Sequence, residues 1–156
     1  IKILQDKGVN IKYGDDLGSD EERILTMEFD TPIFLMYYPR EVKAFYMYER
    51  GDGTVKNFDL LAPEGYGEII GGSEREWRYD ILEQKIKEWG LDKLKVKVGN
   101  EEINAYEWYE DLRRYGSVPH SGMGLGIERF TRWICKLDHI RDTLPFPRLR
   151  GGWLYP

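Results

Sequence analysis

Helices interleaved with short antiparallel strands are the fold class the sequence predicts, on three observations. Serine–glutamate pairs three residues apart, Ser19/Glu22 and Ser73/Glu76, open apolar-periodic segments in the manner of a capping box. Aromatic and β-branched runs at 33–38, 44–48, 55–61 and 67–70 are parted only by Pro39-Arg40, Gly51-Asp52-Gly53 and Pro63-Glu64-Gly65, and connections so short join antiparallel neighbours. Late in the chain the period returns to that of a helix: Ile127, Phe130, Ile134 and Leu137 recur at spacings of three and four.

Taken in order, residues 1–7 read as the end of a helix closed by Gly8, and residues 10–18 as a polar turn. The Ser19 helix runs to about Glu28 and is stopped by Thr31-Pro32. The aromatics of the strand run, from Phe34 through Phe58, are read as sheet packing. The Ser73 helix extends to about Trp89, with Leu82, Ile86 and Trp89 as its buried stripe and Gly90 at its end. Residues 93–98 alternate lysine with apolar side chains, the pattern of an edge strand guarded by charge. Asn104 with Glu107 starts a helix over 105–115, and the proline- and glycine-bearing stretch 143–156 is extended or looped. No repeat, low-complexity segment or linker divides the chain, so residues 1–156 are expected to form a single domain.

A net charge of −5 with 33% charged residues lacks the basic footprint of a free-standing nucleic-acid binder, though it allows a catalytic piece that meets only a nucleic-acid end. The one cysteine, Cys135, excludes an internal disulfide framework and points to a reducing, cytoplasmic setting; its place in an apolar helix suggests a buried small hydrophobe. No apolar run approaches the ~20 residues of a membrane span. The chain begins at Ile1 rather than a methionine and reads as a cut piece.

The stretch 115–129 organises the rest. Gly122, Gly124 and Gly126 alternate with Met123 and Leu125, which at strand period makes one bare face and one apolar face. A bare face lets a flat ligand lie on the backbone, although a tight strand-to-helix turn would need glycine too. Arg129 falls in the first turn of the following helix, where the macrodipole disfavours a cation by ~0.3–1 kcal/mol, so an anion such as phosphate is expected beside it. Upstream, a two-residue hairpin centred on Pro63-Glu64 would set Asp59 and Glu68 opposite each other. Facing carboxylates repel unless a cation joins them, and hard oxygens of this kind suit Mg²⁺ completed by phosphates. From spacing alone, two solvated surface acids remain the simpler account. Gly71-Gly72-Ser73 allows close backbone approach to a ligand at the expected helix start, with Arg75 projecting from its first turn; an arginine paired with Glu76 or Asp80 fits as well. His120 could be a general base, and His139 has no convergent metal ligands.

Gly124-Leu125-Gly126-Ile127-Glu128-Arg129 resembles motif 3 of the class II aminoacyl-tRNA synthetases. The flanking Tyr106-Glu107-Trp108-Tyr109, the run 115–122 and Asp138-His139-Ile140-Arg141-Asp142 resemble the asparagine-specific members in particular. The resemblance implies an α+β fold, an antiparallel sheet flanked by helices, forming the C-terminal half of a class II catalytic domain without motif 1, motif 2 or the anticodon-binding domain. It implies ATP-dependent activation of asparagine, through an asparaginyl-adenylate, and transfer to tRNA(Asn) by a homodimeric parent enzyme. In that scheme Asp59 and Glu68 hold Mg²⁺ and ATP, and Gly126, Ile127, Glu128 and Arg129 hold the adenine and γ-phosphate. Glu68 and Arg129 are the catalytic pair, and Arg75 grips the amino acid beside Gly71 and Gly124. Aspartate-specific relatives often carry serine where this chain has Gly71, so a hydroxyl contact is missing here. With motif 2 absent, the chain alone is expected to be inactive. An aspartate-specific synthetase, a paralogue making free asparagine from aspartate, and a non-catalytic nucleotide- or partner-binding module are the alternatives.

Overall fold

The computed structural model describes residues 1–148 and residue 151. Among them the order of elements is α1 (Lys2–Asp6), α2 (Ser19–Thr26), β1 (Ile33–Met36), β2 (Asn57–Ala62), β3 (Gly67–Glu74), α3 (Tyr79–Glu88), β4 (Lys95–Val98), β5 (Glu101–Asn104), α4 (Glu107–Arg114), β6 (Ser121–Leu125) and α5 (Ile127–Ile134). Strands β1-β2-β3-β6 make a four-stranded sheet in that order, and β4-β5 a separate pair. This is the α+β class the sequence predicts. The chain divides into two compact units, one of Ile1–Leu35, Asp59–Gly71 and Gly124–Pro156, the other of Met36–Phe58 and Gly72–Met123.

The first unit is built on Leu4, Ile11, Leu25 and Leu61, all buried, with Val9, Leu17, Ile24, Phe29, Ile33 and Leu35 packed around them. Its α2 starts one residue earlier than the Ser19/Glu22 box implies. Gly18 is the extended N-cap, its N–H donates to Glu21 Oε2 at 3.1 Å, and Glu22 is thereby released to reach β3. Strands β2 and β3 are joined by four residues, Pro63-Glu64-Gly65-Tyr66, and not by a two-residue turn. Glu64 and Gly65 both take left-handed backbone, φ 60° and 80°, which glycine adopts freely and glutamate only at a cost. The Glu64 N–H is anchored on the Thr26 carbonyl at 3.0 Å. The facing register drawn for Asp59 and Glu68 therefore does not rest on the turn it was drawn from.

Helix α5 begins at Ile127 as its spacing predicts, but its apolar stripe is not core. Ile127 is 69% exposed and Ile134 56%, and Cys135 is exposed too. Periodicity identifies which face is apolar, not what covers it, and in this unit the described residues leave that stripe open. Past the short 3₁₀ turn Ile140–Thr143, half of the expected extended tail, 149–150 and 152–156, lies outside the described residues.

In the second unit the expected helix from Ser73 is strand instead: β3 runs on to Glu74, and α3 starts only at Tyr79. The reason is Glu76, fully buried, which accepts from Arg78 Nε at 2.9 Å and Lys85 Nζ at 3.3 Å and so cannot turn back to cap Ser73. Arg113 Nε donates to the Glu76 carbonyl at 3.1 Å, and Lys85 also reaches the Met47 carbonyl at 2.8 Å and Glu49 at 3.1 Å. Burial alone would push the Glu76 carboxyl up, but Arg78 and Lys85 outweigh it and hold it below the usual carboxylate range. Leu82 and Ile86 are buried as predicted, whereas Trp89 is 45% exposed. The 44–48 run is not a strand. It makes one isolated bridge, Met47 to Arg75, while Phe45 sits edge-on to Tyr46, Tyr106 and Tyr109 at 5.4–6.2 Å. The lysine-bearing β4 pairs antiparallel with β5, Lys97 opposite Glu102, in a hairpin whose second strand takes up 101–104.

Candidate functional site

In the first unit a cleft of about 610 Å³ opens beside the start of α5, with Glu22, Arg23, Glu68, Arg129, Arg132 and His139 among its lining residues. Glu68 and Arg129 meet on its wall. The Arg129 Nη1 lies 3.2 Å from Glu68 Oε2 and donates to the Glu68 carbonyl at 3.0 Å. The anion expected beside Arg129 is thus supplied, in this state, by the protein's own carboxylate. Neither partner is buried: the Arg129 side chain is 53% exposed and that of Glu68 32%.

Asp59 and Glu68 do converge, over Gly71. A Cβ built on Gly71 would stand 2.7 Å from Glu68 Oε1 and 3.5 Å from Asp59 Oδ1, so any side chain at 71 would have to displace the Glu68 carboxylate. Two carboxylate oxygens over a bare backbone fit a magnesium ion, which commonly takes one or two protein carboxylates and completes its shell with water and phosphate. Among the described residues no group of three or more His, Cys, Asp or Glu is placed to hold a metal by itself.

Gly126 is the extended N-cap of α5; its N–H donates to the Ile69 carbonyl at 3.0 Å, and a Cβ there would press on the Arg129 stem at 3.3 Å. A Cβ at Gly124 would meet nothing within 4 Å. That position has the open space a ligand needs, and crowding does not dictate its glycine. Ile127 and Glu128 flank Arg129 in the first turn and are exposed.

Arg75 belongs to the second unit, at the end of β3 rather than on a helix. Its N–H donates to the His120 carbonyl at 2.9 Å, Nη1 to Ser73 Oγ, and Nη2 to the Gly122 carbonyl at 3.3 Å, with the guanidinium over the Tyr46 ring. A Cβ on Gly122 would stand 3.1 Å from that Nη2. The helix-N-terminus argument for Ser73 and Arg75 therefore falls, and the arginine is held instead by strand backbone and an aromatic face. His120 is exposed with Nδ1 donating to Val118 O, and Arg148 is exposed. His139 accepts from the Arg141 N–H at 3.1 Å and lines the cleft.

Glu22 is the residue sequence reasoning missed. It was read as half of a cap, but its Oε2 accepts the Glu68 N–H at 3.0 Å. Burial, then the charges of Glu68 and Asp59, push its carboxyl above the usual range, against the pull of that N–H and of Arg129. The Ser19 spacing pointed to Glu22 as the capping residue, whereas the adjacent Glu21 takes that role at Gly18.

Residues 4–150 match the family model of the tRNA synthetases class II (D, K and N). The chain belongs to this family. It is 59% identical, over its whole length, to 34% of the asparagine–tRNA ligase of Pyrococcus abyssi. Among solved structures, the asparaginyl-tRNA synthetase of Pyrococcus horikoshii complexed with asparaginyl-adenylate matches with a TM-score of 0.85 and 57% identity, over 99% of this chain and 34% of that one. The Entamoeba histolytica asparaginyl-tRNA synthetase, also in complex with asparaginyl-adenylate, matches at 0.82 and 39% identity, over 95% and 32%. The chain thus spans about a third of the length of these class II synthetases.

Proposed function

We propose that this chain is the motif 3 part of a catalytic domain that activates asparagine with ATP and passes it to tRNA(Asn). What carries the reading is the half-exposed Glu68–Arg129 pair in an open cleft, with Asp59 brought beside Glu68 over a bare Gly71. The likeness to synthetases bound to asparaginyl-adenylate supports the choice of amino acid.

In this reading the asparagine carboxylate attacks the α-phosphorus of ATP, pyrophosphate leaves, and the acyl group then moves to the tRNA 3′ end. The chain's residues contribute position and charge rather than covalent chemistry. Arg129 offers a planar fork to phosphate oxygens and a face on which a base can stack. Because Arg129 is itself half exposed, an incoming phosphate can compete with Glu68 for it. Asp59 and Glu68 would hold Mg²⁺, which when bound neutralises charge on the phosphates. Gly126, Ile127 and Glu128 shape the adenine end and Arg75 directs its remaining donors to the asparagine side-chain oxygen, while Gly71 and Gly124 keep their own stretches of backbone bare. The full-length protein would act as a cytoplasmic homodimer; among the described residues no helix is long and apolar enough to cross a membrane.

The test is ATP–pyrophosphate exchange by the full-length protein carrying this chain, with asparagine and with aspartate, followed by charging of tRNA(Asn). Exchange that depends on asparagine and proceeds to charged tRNA is the expected result. Exchange with aspartate alone would place the protein on the aspartate side; free asparagine as the product would make it an amidating paralogue. No exchange with either would leave a binding module.

A further inference from the structure

We propose that Glu22 is a positioning residue for Glu68: by accepting the Glu68 main-chain N–H it fixes the carboxylate that faces the cation and the nucleotide. The inference rests on the role given to Glu68 above.

Both main-chain groups of Glu68 are held by side chains. Its N–H donates to Glu22 Oε2 at 3.0 Å, and its carbonyl accepts from Arg129 Nη1 at 3.0 Å. One helix therefore holds the amide side of this residue and another its carbonyl side. With both peptide planes fixed, the Cα–Cβ direction of Glu68 is fixed as well, and the carboxylate can settle over Gly71 beside Asp59.

The surroundings of Glu22 are arranged for this contact. The adjacent Glu21 takes the Gly18 N–H, so the helix cap makes no demand on Glu22. A Cβ at Gly67 would stand 2.9 Å from Glu22 Oε2, and Gly67 has a φ of +74°, so the strand enters without a side chain where Glu22 crosses it. Thr26 Oγ1 donates to the Glu22 carbonyl at 2.7 Å and steadies the turn it stands on. The placement is electrostatically costly, because Glu22 is partly buried and faces the charges of Glu68 and Asp59, against the pull of the Glu68 N–H and of Arg129.

The experiment is equilibrium binding of Mn²⁺ to the full-length protein with a non-hydrolysable ATP analogue, read from the free-ion electron paramagnetic resonance signal. Glu22→Ala, Glu22→Gln and Glu68→Gln are compared, with melting curves for each. Losing a partner that orients a metal-binding carboxylate weakens the metal on the order of tenfold. Glu22→Ala should show that loss, and Glu22→Gln, which keeps an acceptor oxygen, should recover most of it. Glu22→Ala with a lower melting temperature but unchanged Mn²⁺ affinity would make Glu22 a strut and overturn the proposal. So would a glutamine variant as weak as the alanine one, since charge rather than position would then be at work. Wild-type affinity in Glu68→Gln would instead remove the role of Glu68, and this inference with it.

Discussion

Two carboxylate–cation pairs in this chain share their chemistry and differ in their setting. In the second unit Glu76 meets Lys85 with side chains 0% and 6% exposed; in the first, Glu68 meets Arg129 at 32% and 53%. The buried carboxylate already receives Arg78 and Lys85, and its main-chain carbonyl receives Arg113. Nothing from outside can replace those donors without unfolding the unit. The exposed pair is worth only about 0–1 kcal/mol to the fold, so a ligand can exchange for either half at little cost. Burial, and not the presence of opposite charges, separates the pair that holds the fold from the pair that can hold a substrate.

Removing one half of each pair sharpens that contrast. Lys85→Ala leaves Glu76 buried with less compensation, and should destabilise the protein by about 3–5 kcal/mol in urea denaturation, without altering any direct contact in the cleft. Acid should reach the same pair next. The Glu76 carboxyl is held below its usual range, so its stabilisation is present above the unfolded value, about pH 4, and is lost as pH falls through the lower folded value. Unfolding free energies followed from about pH 6 down to about pH 3 should fall more steeply in wild type than in Glu76→Gln.

In the cleft the effects should move from stability to ligand. Gly71→Ser puts a Cβ 2.7 Å from Glu68 Oε1, so the carboxylate must swing away. The Mg²⁺ concentration for half-maximal nucleotide binding should rise severalfold, on the scale of other disturbed metal-orienting contacts (~10-fold), while the melting temperature moves little. Smallest of all for the fold, Arg129→Ala should shift the unliganded melting temperature by less than about 3 °C. It should at the same time diminish the stabilisation that saturating ATP produces, with Arg129→Lys recovering only part. An Arg129→Ala protein that melts far lower and still binds ATP normally would place this pair with the buried one and erase the distinction.

Elements whose identity depends on local period were legible in the sequence: β6 with its alternating glycines, α5 with its three-and-four spacing, and the Leu82–Ile86 face of α3. Elements decided by a distant partner were not. Glu76 looked like a capping residue until Arg78, Lys85 and Arg113 claimed it, and with that claim the Ser73 helix became strand. Phe45 and Tyr46 have strand propensity, yet they are drawn into a cluster with Tyr106 and Tyr109. The Asp59–Glu68 convergence was anticipated on a turn that proved wrong, because left-handed Glu64 could not be read from its side chain. Cys135 was misjudged for a different reason, since an apolar stripe says nothing about its cover.

Synthesis of the chain imposes an order on the cleft. Glu22 and Glu68 are made before the arginine that neutralises them, which lies 61 residues beyond Glu68, with most of the second unit coded in between. At the roughly 5–20 residues per second of translation, the acids spend some 3–12 seconds without that cation. During that interval like charges face each other where β3 meets α2, so the closing of this corner must wait for α5 or borrow a counterion from solution.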